Sequence, residues 1–348
     1  MSIVARKYFI LGAMATFPVT FFVNAPFGRF SGGNGQGGKG WMYVNGAQLQ
    51  FTRRQRAKLN WSNLLHFLGK VSWMLMEIIS PICCALAFFA SPLAMPTFVP
   101  IPLYTGQKVL FSLFLIHYAN RAIISPLRTP SRSKAHIVIP FAGGLFNVLN
   151  GTLIGSYLNS PQARIWLEGK EKQWWWWGAI TLWAVGFVGN VVHDEILLDI
   201  RRKHKKGQNK KKDDDAPKDK AKEQQGEHYA IPHGLLYEYI TFPNYFCEWI
   251  EWLGFAAAAS PAPFSLITAV GLISPASLTY IPTIPTLLKE FIQTSPMFFM
   301  RFFTPPWIFL LNEVVTMFPR AYKGHLWYKE KFGDAYPKNR KIVIPGLL

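Results

Sequence analysis

Apolar runs about as long as a bilayer is thick, separated by short basic stretches, set the pattern of this chain. Seven are visible, at 8–27, 67–95, 103–124, 137–158, 174–198, 246–273 and 297–318. A helix rises about 1.5 Å per residue and needs about 20 residues to cross the hydrocarbon. The pattern therefore predicts an all-α polytopic membrane protein, with about seven transmembrane helices around a central cavity. The first run follows Arg6 and Lys7, and NAPFGRF succeeds it where a signal peptide would show a small-residue cleavage site, so it reads as a retained helix. Pro275, Pro282 and Pro285 mark 274–295 as a loop or re-entrant piece.

Charge orients these helices. Lys and Arg concentrate at 28–66, 125–135, 199–233 and after Phe318, whereas 96–102 carries no charge, which puts the C-terminus in the cytoplasm. The Trp174–Trp177 run fits an interfacial belt. With 50% hydrophobic and 16% charged residues, the composition excludes an ordinary soluble domain. The net charge of +18 suits an anionic lipid surface better than a nucleic acid. Residues 203–227 are lysine-rich and of low complexity, so a disordered basic cytoplasmic insertion is expected there. It separates helices one to five, in 1–202, from a C-terminal part, 228–348, that holds the last two helices and a cytoplasmic tail. Cys83, Cys84 and Cys247 offer neither a disulfide framework nor a zinc spacing, and no metal site is expected. Gly33, Gly35 and Gly38 match the letters of G-x-G-x-x-G. No strand precedes them, and Gly40 follows Lys39 where a phosphate loop needs Ser or Thr, so the stretch reads as a flexible loop.

Polar residues inside apolar runs point to chemistry. Asn244, Glu248 and Glu251 recur at i, i+4 and i+7 behind Pro243, which puts an amide and two carboxylates on one face of a helix. Acids beside Phe246, Trp249 and Trp252 are costly in lipid, so they are expected to face a protein-lined pocket. Glu77 lies within the second run and costs about 2.5–3.5 kcal/mol on insertion scales unless it faces a partner or cavity. Tyr118, near the end of the third run, could pair with it as a proton-donating phenol. Asn190, Asp194 and Arg201 share one helical stripe, a set that suits the phosphate and ribose of a nucleotide. His325, Tyr328 and the run Lys338-Asn339-Arg340-Lys341 follow the last apolar run as juxtamembrane charge.

YAIPHGLLYEYITFPNYFCEWIEWLGFA and GHLWYKEKFGDAYPKNRKIVIP resemble the C-terminal signature of the steroid 5α-reductases. NAPFGRF, WMLMEIISP, LIHYANR, NGTLIGSYL and GNVVHDEILLDIR follow the order of that family's earlier blocks. The resemblance covers most of the chain apart from the Gly-rich loop, 203–227 and roughly 260–300. It implies a seven-helix enzyme of the endoplasmic reticulum membrane that uses NADPH to reduce the Δ4 double bond of a 3-oxo-steroid. By carry-over, Glu77 and Tyr118 take the catalytic positions and Trp73 that of a substrate-pocket aromatic. Asn190, Asp194, Arg201, Tyr229, Asn244, Glu248, His325 and Tyr328 take positions around NADPH. The implied mechanism sends hydride to the β-carbon of the enone while Tyr118, hydrogen-bonded to Glu77, polarises the carbonyl oxygen. The chain departs from the family where Leu198 and Ala230 replace arginines, Gly234-Leu235 replaces a Gly-Gly pair and Gly324 replaces the first histidine of a pair. These departures leave open an enoyl-thioester or polyprenal reductase of the same architecture, a methyltransferase using S-adenosylmethionine, and a non-catalytic lipid-binding protein. The oligomeric state is not legible.

Overall fold

The computed structural model describes residues 61–93, 102–129, 138–213, 230–263 and 303–347. The expected helix at 8–27, the Gly-rich loop and the proline-rich 274–295 lie outside the described residues. The rest is all-α, as the apolar pattern predicts, and among the described residues the β-pairing is an isolated parallel bridge between Ile240 and Lys341.

In chain order the helices are α1 (Trp61–Ala90), α2 (Thr105–Ala119), α3 (Ser125–Arg128), α4 (Val138–Leu158), α5 (Pro161–Leu167), α6 (Trp174–Asp213), α7 (Pro243–Ala259) and α8 (Pro305–Phe332). A π turn over Asn120–Ile124 joins α2 to α3. Local chemistry sets several of these ends. Ser160 caps α5 by accepting from the Ala163 amide at 3.2 Å, with Pro161 filling the first helical position, where no N–H is needed. Pro243 opens α7 in the same way. In α1, Pro81 has no N–H for the carbonyl four residues earlier, which belongs to Glu77. α6 continues to Asp213, through 203–213, where a disordered insertion is expected from composition. The Lys and Gln residues there are good helix formers and prolong a helix already nucleated by its apolar part.

Three stretches, Gly69–Ala90, Thr105–Arg128 and Trp174–Lys203, are long and apolar enough to cross a membrane. Leu75, Leu86, Phe89, Leu127 and Val185 stand exposed on them, as lipid-facing residues do. The expected count of seven crossings is not established by the described residues. α7 has 17 residues where the apolar run suggests a longer span, and 264–302 lies outside the description.

Two helix pairs build the core. On α4 and at its C-terminal edge, Asn147, Gly151, Gly155 and Asn159 follow a four-residue step, and on α1 so do Met76, Ser80, Cys84 and Phe88. Asn147 and Asn159 donate their amides to the Met76 and Phe88 carbonyls, each at 2.9 Å. Between them, a methyl group on Gly151 would lie 2.1 Å from the Ser80 carbonyl oxygen, and one on Gly155 would lie 2.2 Å from that of Cys84. The constant register shows that α1 and α4 run in the same direction, with α2 returning the chain between them. Lipid supplies little hydrophobic drive between helices, so small residues that let backbones touch, flanked by side-chain amides, hold such a pair. α6 and α7 make the second pair, antiparallel, with Gly186 against the Glu251 backbone and Gly254 against that of Trp183. Phe88, Phe111, Phe114, Trp176, Trp183, Trp252, Phe255 and Phe309 fill the space between the pairs.

Gly151→Leu should force α4 off α1 and cost about 1–3 kcal/mol, the usual scale of overpacking. Gly178→Ala, on a face of α6 with nothing within 4 Å, should be neutral or slightly stabilising. Melting temperatures in detergent compare the two, and equal values would show that the α1–α4 approach is not a tight one.

Candidate functional site

Three helices meet around one guanidinium. α2 ends at Ala119, and the π turn that follows turns Arg121 toward α1 and α7. Single π turns inside helices commonly mark functional sites. Arg121 donates from Nη1 to Glu248 Oε1 at 2.9 Å, and its Nε lies 3.4 Å from Glu77 Oε1. Glu77 and Glu248 are 5% and 3% exposed, so the cation balances carboxylates that would otherwise stand unpaired where solvation is poor. The guanidinium carbon also sits 5.8 Å from the centre of the Trp73 ring, a cation–π contact.

From Glu248 the network runs into α6. Asn190 Nδ2 donates to Glu248 Oε2 at 3.2 Å and to the Asn244 carbonyl at 3.0 Å. Asn244 Nδ2 in turn donates to Asp194 Oδ1 at 2.9 Å. The close approach at Gly186 and Gly254 brings the two helices near enough for these short side chains to meet. Asn244 Oδ1 and Glu251 Oε2 are buried and lack hydrogen-bond partners, leaving two acceptors at the site.

Tyr118 lies one turn before Arg121 and is 2% exposed. Its hydroxyl oxygen accepts from Asn150 Nδ2 at 3.1 Å, and Ser80 is a second polar neighbour. The expected hydrogen bond to Glu77 is not made. The Glu77 carboxylate is turned to Arg121, a charged donor that a neutral phenol does not match. Glu77 and Glu313 remain electrostatic neighbours of the phenol. Because Asn150 donates to the phenol oxygen, the Tyr118 proton is left for the Ser80 hydroxyl or another acceptor. Beside it, His117 Nδ1 and Glu251 Oε1 meet at 2.7 Å with 5% and 0% exposure, walled by Trp252.

The structure therefore brings together Glu77, Tyr118, Trp73, Asn190, Asp194, Asn244 and Glu248. Arg201 is half-buried on α6 and takes no part in this network, and Tyr229 lies outside the described residues. His325 and Tyr328, on the part of α8 beyond the expected span, belong to a separate cluster around Thr241. Thr241 donates to the Lys341 carbonyl at 3.0 Å, so it accepts from His325 Nδ1 and from the Tyr336 hydroxyl, each at 2.6 Å. Tyr328 stacks on Tyr336 with centroids 5.7 Å apart. Burial, and then the Lys329 and Arg340 charges, pull His325 down from 6.5 to about 4, so it is the neutral Nδ1–H tautomer that donates. Sequence reasoning missed Arg121, His117 and Asn150 as site residues. Only Asn150 carried a usable signal, as an amide in the middle of an apolar run.

A model of the 3-oxo-5-alpha-steroid 4-dehydrogenase family matches residues 133–281 and 279–348. The chain is 32% identical to an uncharacterized protein of Schizosaccharomyces pombe, over 98% of this chain and 96% of that one. It is 28% identical to 3-oxo-5-alpha-steroid 4-dehydrogenase 1 of Mus musculus, over 85% of this chain and 83% of the relative. It is also 28% identical to the steroid 5-alpha-reductase DET2 of Solanum lycopersicum, over 76% of this chain and 80% of that protein.

His117→Leu or Glu251→Leu alone should cost about 3–5 kcal/mol, because each strands a buried polar partner, while the double variant should recover much of the loss. Additive losses in chemical denaturation would show that the two side chains do not interact. His325 yields a pH dependence of definite sign. The folded protein refuses a proton that the unfolded chain binds near the ordinary value of 6.5. The stability due to neutral His325 is complete above about 6.5 and is lost as pH falls toward about 4. Melting temperature should drop across that window, and His325→Asn should flatten the drop; parallel curves would exclude the histidine as its cause.

Proposed function

The chain belongs to the 3-oxo-5-alpha-steroid 4-dehydrogenase family, and on that premise we propose that it is an NADPH-dependent reductase of the enone C=C bond in a 3-oxo-Δ4 steroid or a lipid of similar shape. It is an oxidoreductase acting on a CH–CH bond. We place it in the endoplasmic reticulum membrane with its C-terminus in the cytoplasm, in keeping with the basic loops around its apolar helices. The observation that carries the reading is the buried Tyr118 hydroxyl, held by Asn150 and flanked by Glu77 with its proton uncommitted to that amide.

NADPH, when bound, supplies the hydride that adds to the β-carbon. The residues present fit such a cofactor. The unpartnered Asn244 Oδ1 is an acceptor suited to an amide or hydroxyl donor, and Asp194 and Glu248 are the kind of acids that hold ribose hydroxyls. Asn190 locks Asn244 and Glu248 into register. As the β-carbon gains hydride, negative charge grows on the carbonyl oxygen and Tyr118 donates its hydrogen bond there. Arg121 keeps the Glu77 carboxylate paired, so the phenol does not face a bare anion as charge develops on the substrate. The resulting enolate takes a proton from solvent at the α-carbon, which completes addition of one hydride and one proton across the double bond. Trp73, against Arg121, offers an apolar wall beside the reacting end.

Purified protein should oxidise NADPH with a 3-oxo-Δ4 steroid. Turnover only with enoyl thioesters or polyprenals would keep the architecture and replace the substrate. Tyr118→Phe should lower kcat by about 100-fold or more while the Kd for NADPH stays within about twofold. A phenylalanine variant with the parental rate removes the proton donor from the mechanism. Asn244→Ala and Asp194→Ala should each weaken NADPH by about tenfold, and unchanged affinity in both would move the cofactor elsewhere.

A further inference from the structure

Glu313, on α8, is an acid that the mechanism leaves without a role, and Trp252 of α7 fixes where it lies. The Trp252 ring meets Phe309 of α8 edge-on with centroids 4.5 Å apart, and Phe114 of α2 at 6.0 Å. From that level α7 runs back one turn to Glu248, while α2 and α8 run forward one turn to Tyr118 and Glu313. Two further contacts set these directions. Arg121, just past the end of α2, reaches Glu248, and Gly324 of α8 lies against the Phe242 ring at the start of α7. α2 and α8 are therefore both antiparallel to α7, and one layer holds Tyr118, Glu248 and Glu313. The charges facing Glu313 agree with this placement. They are Glu248 from α7, Arg121 from the π turn, Glu77 from α1 and Arg320 on its own helix. Glu313 is likewise an electrostatic neighbour of the Tyr118 phenol.

In that layer three carboxyl groups share one inward guanidinium. Arg121 gives its close contacts to Glu77 and Glu248, and among the described residues the Glu313 carboxyl accepts no hydrogen bond. A third bare carboxylate facing Glu248 would meet like charge with no donor to offset it, and a facing pair of acids relieves that repulsion when one member keeps its proton. Arg121 balances the other two, so the proton resides on Glu313. Glu77 and Glu248 are buried, whereas Glu313 is only half-buried. α8 runs on from it to the exposed Arg320, the side from which water can replace a proton.

We propose that Glu313 is the acid that hands the α-carbon its proton, a role that rests on the enone-reductase reading above. Once the β-carbon has accepted hydride, the enolate's electron pair at the α-carbon forms a C–H bond with the Glu313 proton. The carboxyl O–H bond breaks toward oxygen, the substrate C=O is restored beside Tyr118, and the Glu313 carboxylate regains a proton from water. Tyr118 and Glu313 thus divide the work, a hydrogen bond at oxygen and a proton at carbon. Because the acid stands on one helix, it reaches one face of the enolate.

Full-length protein in detergent gives two readouts. Infrared difference spectra, parent minus Glu313→Gln, test the proton without any turnover. A protonated-carboxyl C=O band should vanish in the variant, and a band that survives overturns the proposal whatever the protein reduces. Turnover in heavy water with NADPH and a 3-oxo-Δ4 steroid tests the transfer. The parent should place deuterium on one face of the α-carbon, read by NMR of the product. Glu313→Gln should lower kcat by about 100-fold, leave the Kd for NADPH within about twofold and scatter the label over both faces, because water then protonates the enolate. Parental rate with the label still on one face overturns the role of Glu313 and leaves the reductase reading standing. A parent that oxidises no NADPH with steroids, enoyl thioesters or polyprenals sinks that reading, and the role of Glu313 with it, even where the infrared band is lost.

Discussion

The pairing of Arg121 with Glu77 and Glu248 is the constraint on which the site depends. It joins α2, α1 and α7 through one planar cation, and Glu248 carries the connection on to α6 through Asn190. Buried ion pairs contribute little net stability, because desolvation offsets most of the attraction. Their value here is geometric. With the carboxylates fixed, Tyr118 stands one turn away in a defined orientation, and Asn244 is held with one oxygen open. The π turn makes this possible by aiming Arg121 inward while Tyr118, on the last turn of α2, stays against α1 and α4.

That arrangement in turn needs helices that come unusually close. Short side chains such as Asn and Asp reach across an interface only when the backbones nearly touch, and glycines supply the room. Gly151 and Gly155 seat α4 on α1, which delivers Asn150 to Tyr118. Gly186 and Gly254 seat α7 on α6, which delivers Asn244 to Asp194. Amides placed along the same stripes satisfy backbone carbonyls and add direction to packing that van der Waals contact alone would leave slippery. Packing and chemistry are therefore written into the same helix faces at alternate positions.

The basic tail follows another logic. In the sequence, Lys338-Asn339-Arg340-Lys341 reads as charge lying on a membrane surface. In the fold, the parallel bridge between Ile240 and Lys341 and the hydrogen bonds of Thr241 draw this run against the start of α7, so that one of its cations is buried and its neighbours are not. Burial changes what a charge can do. An arginine in water is solvated and mobile, whereas one held against Tyr336 keeps a fixed position.

The amino-acid sequence sufficed for the all-α class, for most helix positions and for the α7 face bearing Asn244, Glu248 and Glu251. Each of these follows from local periodicity, since 3.6 residues per turn fix which side chains share a face. It also sufficed for the family, through the ordered succession of its blocks. The end of α6 was not legible, because a lysine-rich composition is compatible with both a helix and a disordered linker. Which partner each polar residue takes could not be read from the chain. Glu77 turned to Arg121 rather than Tyr118, His117 met Glu251 over 134 positions of sequence, and Arg340 went inside, all because contacts between distant segments depend on how helices approach and not on any single helix's repeat. Periodicity determines faces; only the tertiary structure decides which faces meet.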